Sequence, residues 1–310
     1  MASAEVDSEG IFEATAGLPE QMAAAVTATE AAARLTDGAW VEHVVVFGMG
    51  GSGIAGDILV ATAGAVLPVP ALVIKSYECP PFVGEGTLVF AISASGNTEE
   101  TIEAASEAAL NGARVVAVTG GGELGRLAAG WKAPVIPVPT ELPQPRTAVA
   151  AMAVPPLVVL EDLGLFRGAR AWIADAVTHL QRRRDHIVAG GDGSEPAAIA
   201  RAIGRTWPLV HGGGRVGAAA AQRWKTQVNE NAKAPAAWSV QPELCHNEVC
   251  GWGQHGDVTR QLLTLVQLRY DGEHPQVSRR FEYVAEIMRE VVAGVVEVRA
   301  QGDGDLAQLF

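Results

Sequence analysis

Residues 48–57 read GMGGSGIAGD and follow directly on the apolar run VVVF, Val44 to Phe47. A β-branched strand that empties into glycines and then a helix brings backbone N–H groups within reach of an anion. A second segment, Ser93 to Thr101, reads SASGNTEET. Ser93, Ser95 and Thr98 offer hydroxyls, Gly96 lets the backbone come close, and the following helix presents its first amides. Two such loops side by side, supplying Gly50, Gly51, Ser52, Ser93, Ser95 and Thr98, would enclose one compact phosphate without lysine or arginine. Read alone, SGNTEET is also a plain helix cap, with Ser or Thr as N-cap and glutamates in the first turn. The glycine loop one strand–helix unit earlier favours the anion site.

Gly48, Gly50 and Gly53 also satisfy G-x-G-x-x-G, so a dinucleotide has to be weighed. That reading requires an acidic ribose partner about 20 residues past the glycines, at the end of the second strand. The strand there ends VIKSYE, with Lys75 and Ser76 at that place and Glu78 displaced from it. A hydroxyl-rich third strand end has no task in a dinucleotide site either. The balance leans to a sugar phosphate. An NADP-linked oxidoreductase using Lys75 for the 2′-phosphate stays as a rival class.

The elements that must position these loops alternate along the chain. HVVVFG (43–48), PALVIKS (70–76), TLVFAIS (87–93), ARVVAVTG (113–120) and APVIPVP (133–139) read as strands. Residues 11–36, GIAGDILVATAG (53–64) and NTEETIEAASEAALNG (97–112) read as helices. The alternation implies a doubly wound parallel sheet. The proline-rich ELPQPRTAVAAM (141–152) breaks the rhythm, and a helical region runs on to about Val188. After AGGDGSEP (189–196) the pattern restarts: WPLVHGGG (207–214) is again a strand running into glycines, and AAAAQRWKTQVNENAK (218–233) is its helix. AAWSVQ (236–241), LLTLVQLRY (262–270) and GVVEVRAQ (294–301) supply later strands. The prediction is α/β: two similar flavodoxin-like domains, over 1–150 and 191–310, joined by a helical connection over 151–190.

The 310 residues carry a formal charge of −12, which argues against a nucleic-acid or anionic-membrane partner. The three cysteines, Cys79, Cys245 and Cys250, have no framework spacing and read as reduced thiols. The N-terminal MASAEVDSEGIFEA lacks the basic and apolar regions of a signal peptide, and the longest apolar stretch, AVAAMAVPPLVVL (148–160), is too short for a membrane span. A cytoplasmic protein is expected. Cys245, His246, Glu248 and Cys250 are clustered ligand types, but their spacing fits no recognised zinc pair. Neither a metal nor an organic cofactor is expected.

GMGGSG together with SASGNTEET resembles the sugar isomerase (SIS) domain. RWKTQVNENAKAPA (223–236) followed by CHNEVCGW (245–252) is similar to the bifunctional phosphoglucose/phosphomannose isomerase family, over both domains. The resemblance implies an aldose–ketose isomerase acting on glucose 6-phosphate or mannose 6-phosphate, with fructose 6-phosphate as the ketose and a cis-enediol between them. Glu230 in VNENAK matches the family's base. His246 in CHNEV matches the histidine that opens the sugar ring and reaches the active site from the neighbouring subunit, so the resemblance also implies a homodimer. Arg146 in PQPRTA matches an arginine after a comparable proline-rich stretch, placed to stabilise the enediolate. The family further implies a helix and a lysine beyond LAQLF, whereas this sequence has no lysine after Lys233. The chain is read as truncated there, or as a member that does without the lysine. A non-catalytic sugar-phosphate sensor is the competing function, and it has no need of the Glu230/His246 pair.

Overall fold

The computed structural model describes residues 7–32 and 40–310. The chain divides into two compact units, Ala2–Thr178 and His179–Phe310. In the first, α1 (Ile11–Ala16) and α2 (Leu18–Ala31) precede β1 (His43–Phe47) and α3 (Gly50–Thr62). Then come β2 (Ala71–Ile74), β3 (Thr87–Ser93), α4 (Glu99–Leu110), β4 (Arg114–Thr119), α5 (Gly122–Gly130) and β5 (Val135–Pro137). The helical reading of 11–36 thus resolves into two helices broken at Gly17, and its residues 33–36 lie outside the described residues.

All pairs in the first sheet are parallel, in the order β2-β1-β3-β4-β5. Val44–Phe47 and Leu88–Ile92 have no exposed surface, as expected of central strands covered on both faces, and this is why they read as unbroken apolar runs rather than alternating ones. One covering helix is α6 (Val149–Asp162), the apolar stretch with Pro155 and Pro156 inside it, which packs on α2 and α3. The helix α7 (Ala169–Gly190) follows, and the division of the chain falls within it.

The second unit continues with α8 (Glu195–Ile203), β6 (Trp207–Gly213), α9 (Gly214–Gln227), β7 (Ala237–Gln241), α10 (Gly256–Leu262), β8 (Leu263–Arg269), α11 (Pro275–Met288), β9 (Gly294–Arg299) and α12 (Gly304–Leu309). Its sheet is again wholly parallel, in the order β7-β6-β8-β9. In both sheets the first strand of the unit lies between the second and the third. The strand order therefore reverses beside β1 and beside β6, where open α/β sheets hold their ligands.

Candidate functional site

The two sequence loops leave neighbouring strands of the first sheet at this reversal, since Phe47 of β1 pairs with Ala91 of β3. After β1, α3 begins at Gly50 itself, three residues earlier than its sequence suggested. The N–H groups of Ser52 and Gly53 turn back to Met49 O at 3.0 and 3.1 Å, and Gly50, at φ +51°, heads the helix. Helix starts leave their first amides without intrahelical partners, so the glycine loop presents donors and the positive end of the helix dipole. Ser52 is buried and its hydroxyl donates to Met152 Sδ on α6 at 3.2 Å, a weak acceptor.

The serine loop is built by its own side chains. Ser93 has no exposed surface; its Oγ accepts the Gly96 N–H at 3.1 Å and lies 2.8 Å from Thr98 Oγ1. Thr98 occupies the N-cap position of α4, yet its hydroxyl makes no cap hydrogen bond because it is turned to Ser93. Thr98 therefore does not make the side-chain cap that the helix-cap alternative expects, although Glu99 and Glu100 do stand in the first turn of α4. Ser95 is exposed, with its Oγ accepting the Asn97 N–H at 3.2 Å. Gly96 sits at φ +71°, where a Cβ would lie 1.9 Å from Gly121 O, so only glycine lets the loop pass the end of β4.

Arg146 joins this cluster. It lies in the short turn Pro145–Thr147, and a Cβ on Gly51 would stand 3.3 Å from Arg146 Cα. Its Nη1 donates to Gln144 Oε1 at 3.2 Å. Lys75 is placed differently: its ammonium is hydrogen-bonded to Asp57 of α3, and its stem runs beside Gly53. That pairing engages the one cation the NADP reading relied on.

The glycine loop of the second unit is closed. Tyr270 follows β8 and sets its phenol on Gly214, so that a Cβ there would meet Tyr270 Oη at 2.7 Å. Burial, and after it the charge of Asp305, pushes the Tyr270 phenol up, and Arg215 beside it is 3.5 Å from Asp305. An anion brought to that loop would meet a phenol and a carboxylate. In crystals soaked with phosphate or sulfate the anion is expected at Gly50–Ser52 and Ser93–Thr98. An anion at the second loop alone would refute the assignment.

Glu230 lies in a wide π-type turn, Val228–Ala232, that ends α9. Such turns splay the backbone and are frequent at functional sites. The carboxylate is half-buried. The turn is tied off by Asn229 Nδ2, which donates to Ala234 O at 2.9 Å, and by Lys233 in the left-handed region. His246 is exposed, on the first of two short 3-10 turns, Glu243–His246 and Glu248–Gly251. The topology keeps the pair apart within one chain. The helix α9 carries the chain from the C-terminal edge of the sheet back to its N-terminal edge, where Glu230 lies. β7 then returns it over five residues to His246, a span of about 16 Å.

Sequence reasoning passed over several residues here. Asn97 bridges the serine loop to α5: its Nδ2 donates to Ser95 O at 3.3 Å and its Oδ1 accepts the Glu123 N–H at 3.0 Å. Thr119 Oγ1 accepts the Gly121 N–H at 3.2 Å and shapes the turn against which Gly96 rests. The glycine triplet after β4 was the available signal. In the second unit, His211 and Ser239 are paired in register on β6 and β7, and both reach Glu248. Glu248 is thereby engaged, and the Cys245 thiol points to Gln241 Oε1 at 3.0 Å. Among the described residues, no group of three or more His, Cys, Asp or Glu side chains is placed to share a metal ion.

Residues 40–129 match the SIS domain family, and residues 193–310 match the family described as bacterial phospho-glucose isomerase C-terminal SIS domain. The bifunctional phosphoglucose/phosphomannose isomerase of Caldicellulosiruptor bescii is 31% identical over 97% of this chain and 88% of its own length. The protein of the same description from Aquifex aeolicus is 32% identical over 84% of this chain and 77% of its own length. Among solved structures, the C-terminal domain of glucosamine-fructose-6-phosphate aminotransferase from Francisella tularensis superposes with a TM-score of 0.68 at 15% identity, covering 96% of this chain and 90% of that one. This last likeness is one of fold.

Proposed function

The chain belongs to the bifunctional phosphoglucose/phosphomannose isomerase family, and from that premise we propose that it interconverts glucose 6-phosphate and mannose 6-phosphate with fructose 6-phosphate through a cis-enediol. It is an aldose–ketose isomerase built of two SIS domains. The observation that carries the substrate assignment is the uncapped start of α4. Thr98 turns its hydroxyl to Ser93 and leaves a helix N-terminus open beside a second one at Gly50. Two open helix starts suit a dianionic phosphate monoester.

With the phosphate held there, the reaction runs at the other end of the sugar. His246 protonates the ring oxygen as the ring opens. Glu230 takes the proton from C2 of the open aldose, leaving a cis-enediolate, and the resulting acid returns the proton to C1 to give the ketose. The Arg146 guanidinium, fixed in charge, stabilises the oxyanion that develops between the two transfers. Glucose and mannose differ only at C2, which is planar in the enediol, so one base and one cradle serve both epimers.

The same reading makes the protein a homodimer in the cytoplasm. His246 is exposed on its own chain, and the length of β7 separates it from Glu230. In this reading the histidine at each site comes from a second copy, and a two-fold interface supplies both sites at once. The three free cysteines fit a reducing compartment. The test is a coupled isomerase assay with each aldose 6-phosphate. Turnover of both is expected, whereas tight binding without turnover would make the protein a sugar-phosphate sensor.

A further inference from the structure

The segment that carries His246 is held at two points. Leu244 is inserted in the core of the second unit with Leu209, Leu265 and Met288. Four residues on, the Glu248 carboxylate reaches back over the sheet. Its Oε1 lies 2.9 Å from Nε2 of His211, a ring with no exposed surface, and its Oε2 accepts the Ser239 hydroxyl. Burial pushes the Glu248 carboxyl up, but the hydrogen bonds from His211 and Ser239 outweigh it and hold the group below the ordinary carboxylate range. An ionised carboxylate only accepts, so His211 donates through Nε2. The Glu248 N–H is itself bonded to Asn247 Oδ1, and Asn247 Nδ2 donates to Glu243 Oε1 at 2.8 Å. The turn between the two anchors is therefore fixed on both sides, and His246 stands on its exposed face.

We propose that Glu248, gripped by His211 and Ser239, is a positioning residue that sets where His246 stands, and so acts on ring opening through that imidazole. The inference rests on His246 having the role given above. A carboxylate clamp of this kind suits a residue that must hold its geometry while exposed. The fully buried His211 ring does not move with the surface, and displacement of a catalytic group by about 1 Å costs up to about 10²-fold in rate.

A double-mutant cycle in the coupled assay tests this, with thermal unfolding checked for each variant. Glu248→Gln keeps the volume and removes the charge, and is expected to lower kcat on glucose 6-phosphate at least about tenfold while leaving KM within about twofold. In the His246→Ala background the same change is expected to cost nothing further, because there is no imidazole left to misplace. A merely structural role would lower the rate by the same factor in both backgrounds, and that additivity would overturn the proposal. So would a folded Glu248→Gln enzyme at wild-type speed. If Glu248→Gln does not fold, Ser239→Ala, which removes one of the two hydrogen bonds, is carried through the same cycle and judged by the same criterion. If His246→Ala alone runs at wild-type speed, the role given to His246 fails and the positioning proposal with it. If His246→Ala is slow and Glu248→Gln is not, only the positioning proposal fails.

Discussion

Glu230→Gln is expected to lower turnover by at least about 10²-fold, the usual scale for loss of a general base. Glutamine reproduces the size of the side chain and its capacity for hydrogen bonding, but it takes no proton from carbon. The surrounding π-type turn is held by the Asn229 amide and by the left-handed Lys233, and glutamine keeps the side chain's volume, so the backbone should keep its course. Sugar-phosphate binding should survive, since Gly50–Ser52 and Ser93–Thr98 belong to the other unit of the chain. The two measurements are coupled isomerase kinetics and calorimetric titration with fructose 6-phosphate. Lost turnover with retained binding identifies the base. Turnover at wild-type speed would remove Glu230 from the mechanism.

Gly96→Ala should strike the opposite half of the reaction, and it should do so through backbone. The residue sits at φ +71°, a conformation that costs an alanine about 1 kcal/mol or more. Its new methyl would be placed 1.9 Å from Gly121 O and 2.6 Å from Gly121 C, main-chain atoms with no rotamer to escape by. Either the serine loop or the end of β4 must move. Moving the loop breaks the hydrogen bond from Gly96 N–H to Ser93 Oγ and the one from Leu124 N–H to Gly96 O. The amides at the start of α4 then no longer converge on the phosphate. The expected result is a weakening of fructose 6-phosphate binding by at least about tenfold, with a melting temperature lowered by several degrees. Gly130→Ala is the control, because its Cβ meets nothing within 4 Å. If Gly96→Ala binds like the parent, the serine loop does not form the cradle.

Much of this was legible because the signals were local. The runs HVVVF and TLVFAIS became β1 and β3, residue for residue in the second case, since short β-branched runs bounded by turns suit central strands covered on both faces. The strand–glycine–helix device announced both units. Legibility ended where side chains act across strands. That Ser93 supports its loop from full burial, while Ser95 is exposed, depends on which way Thr98 turns, and SASGNTEET does not encode it without the third dimension. His211 was one histidine among seven. Only the pairing of β6 with β7 sets it beside Ser239 and under Glu248, 37 residues away. The approach of Arg146 to Gly51 likewise comes from the packing of α6, which brings the proline-rich segment back to the start of α3.

The phenol of Tyr270 on Gly214 changes what substitutions at the two glycine-rich loops would report. At Gly50 of the first loop a Cβ would meet nothing within 4 Å among the described residues, so beyond the strain of its positive φ an added methyl there competes with a ligand, and its harm should show in binding. At the second loop the space is already taken by the chain's own aromatic ring. There an added methyl competes with Tyr270, and its harm is to packing, with ligand affinity changed only as far as the unit comes apart. A saturation scan read by growth alone would score both loops as equally intolerant and suggest twin pockets. Scored separately for abundance and for affinity, the same scan divides them: substitution of Gly50 shows in affinity, and substitution of Gly214, over which the chain has built its own ring, shows in abundance.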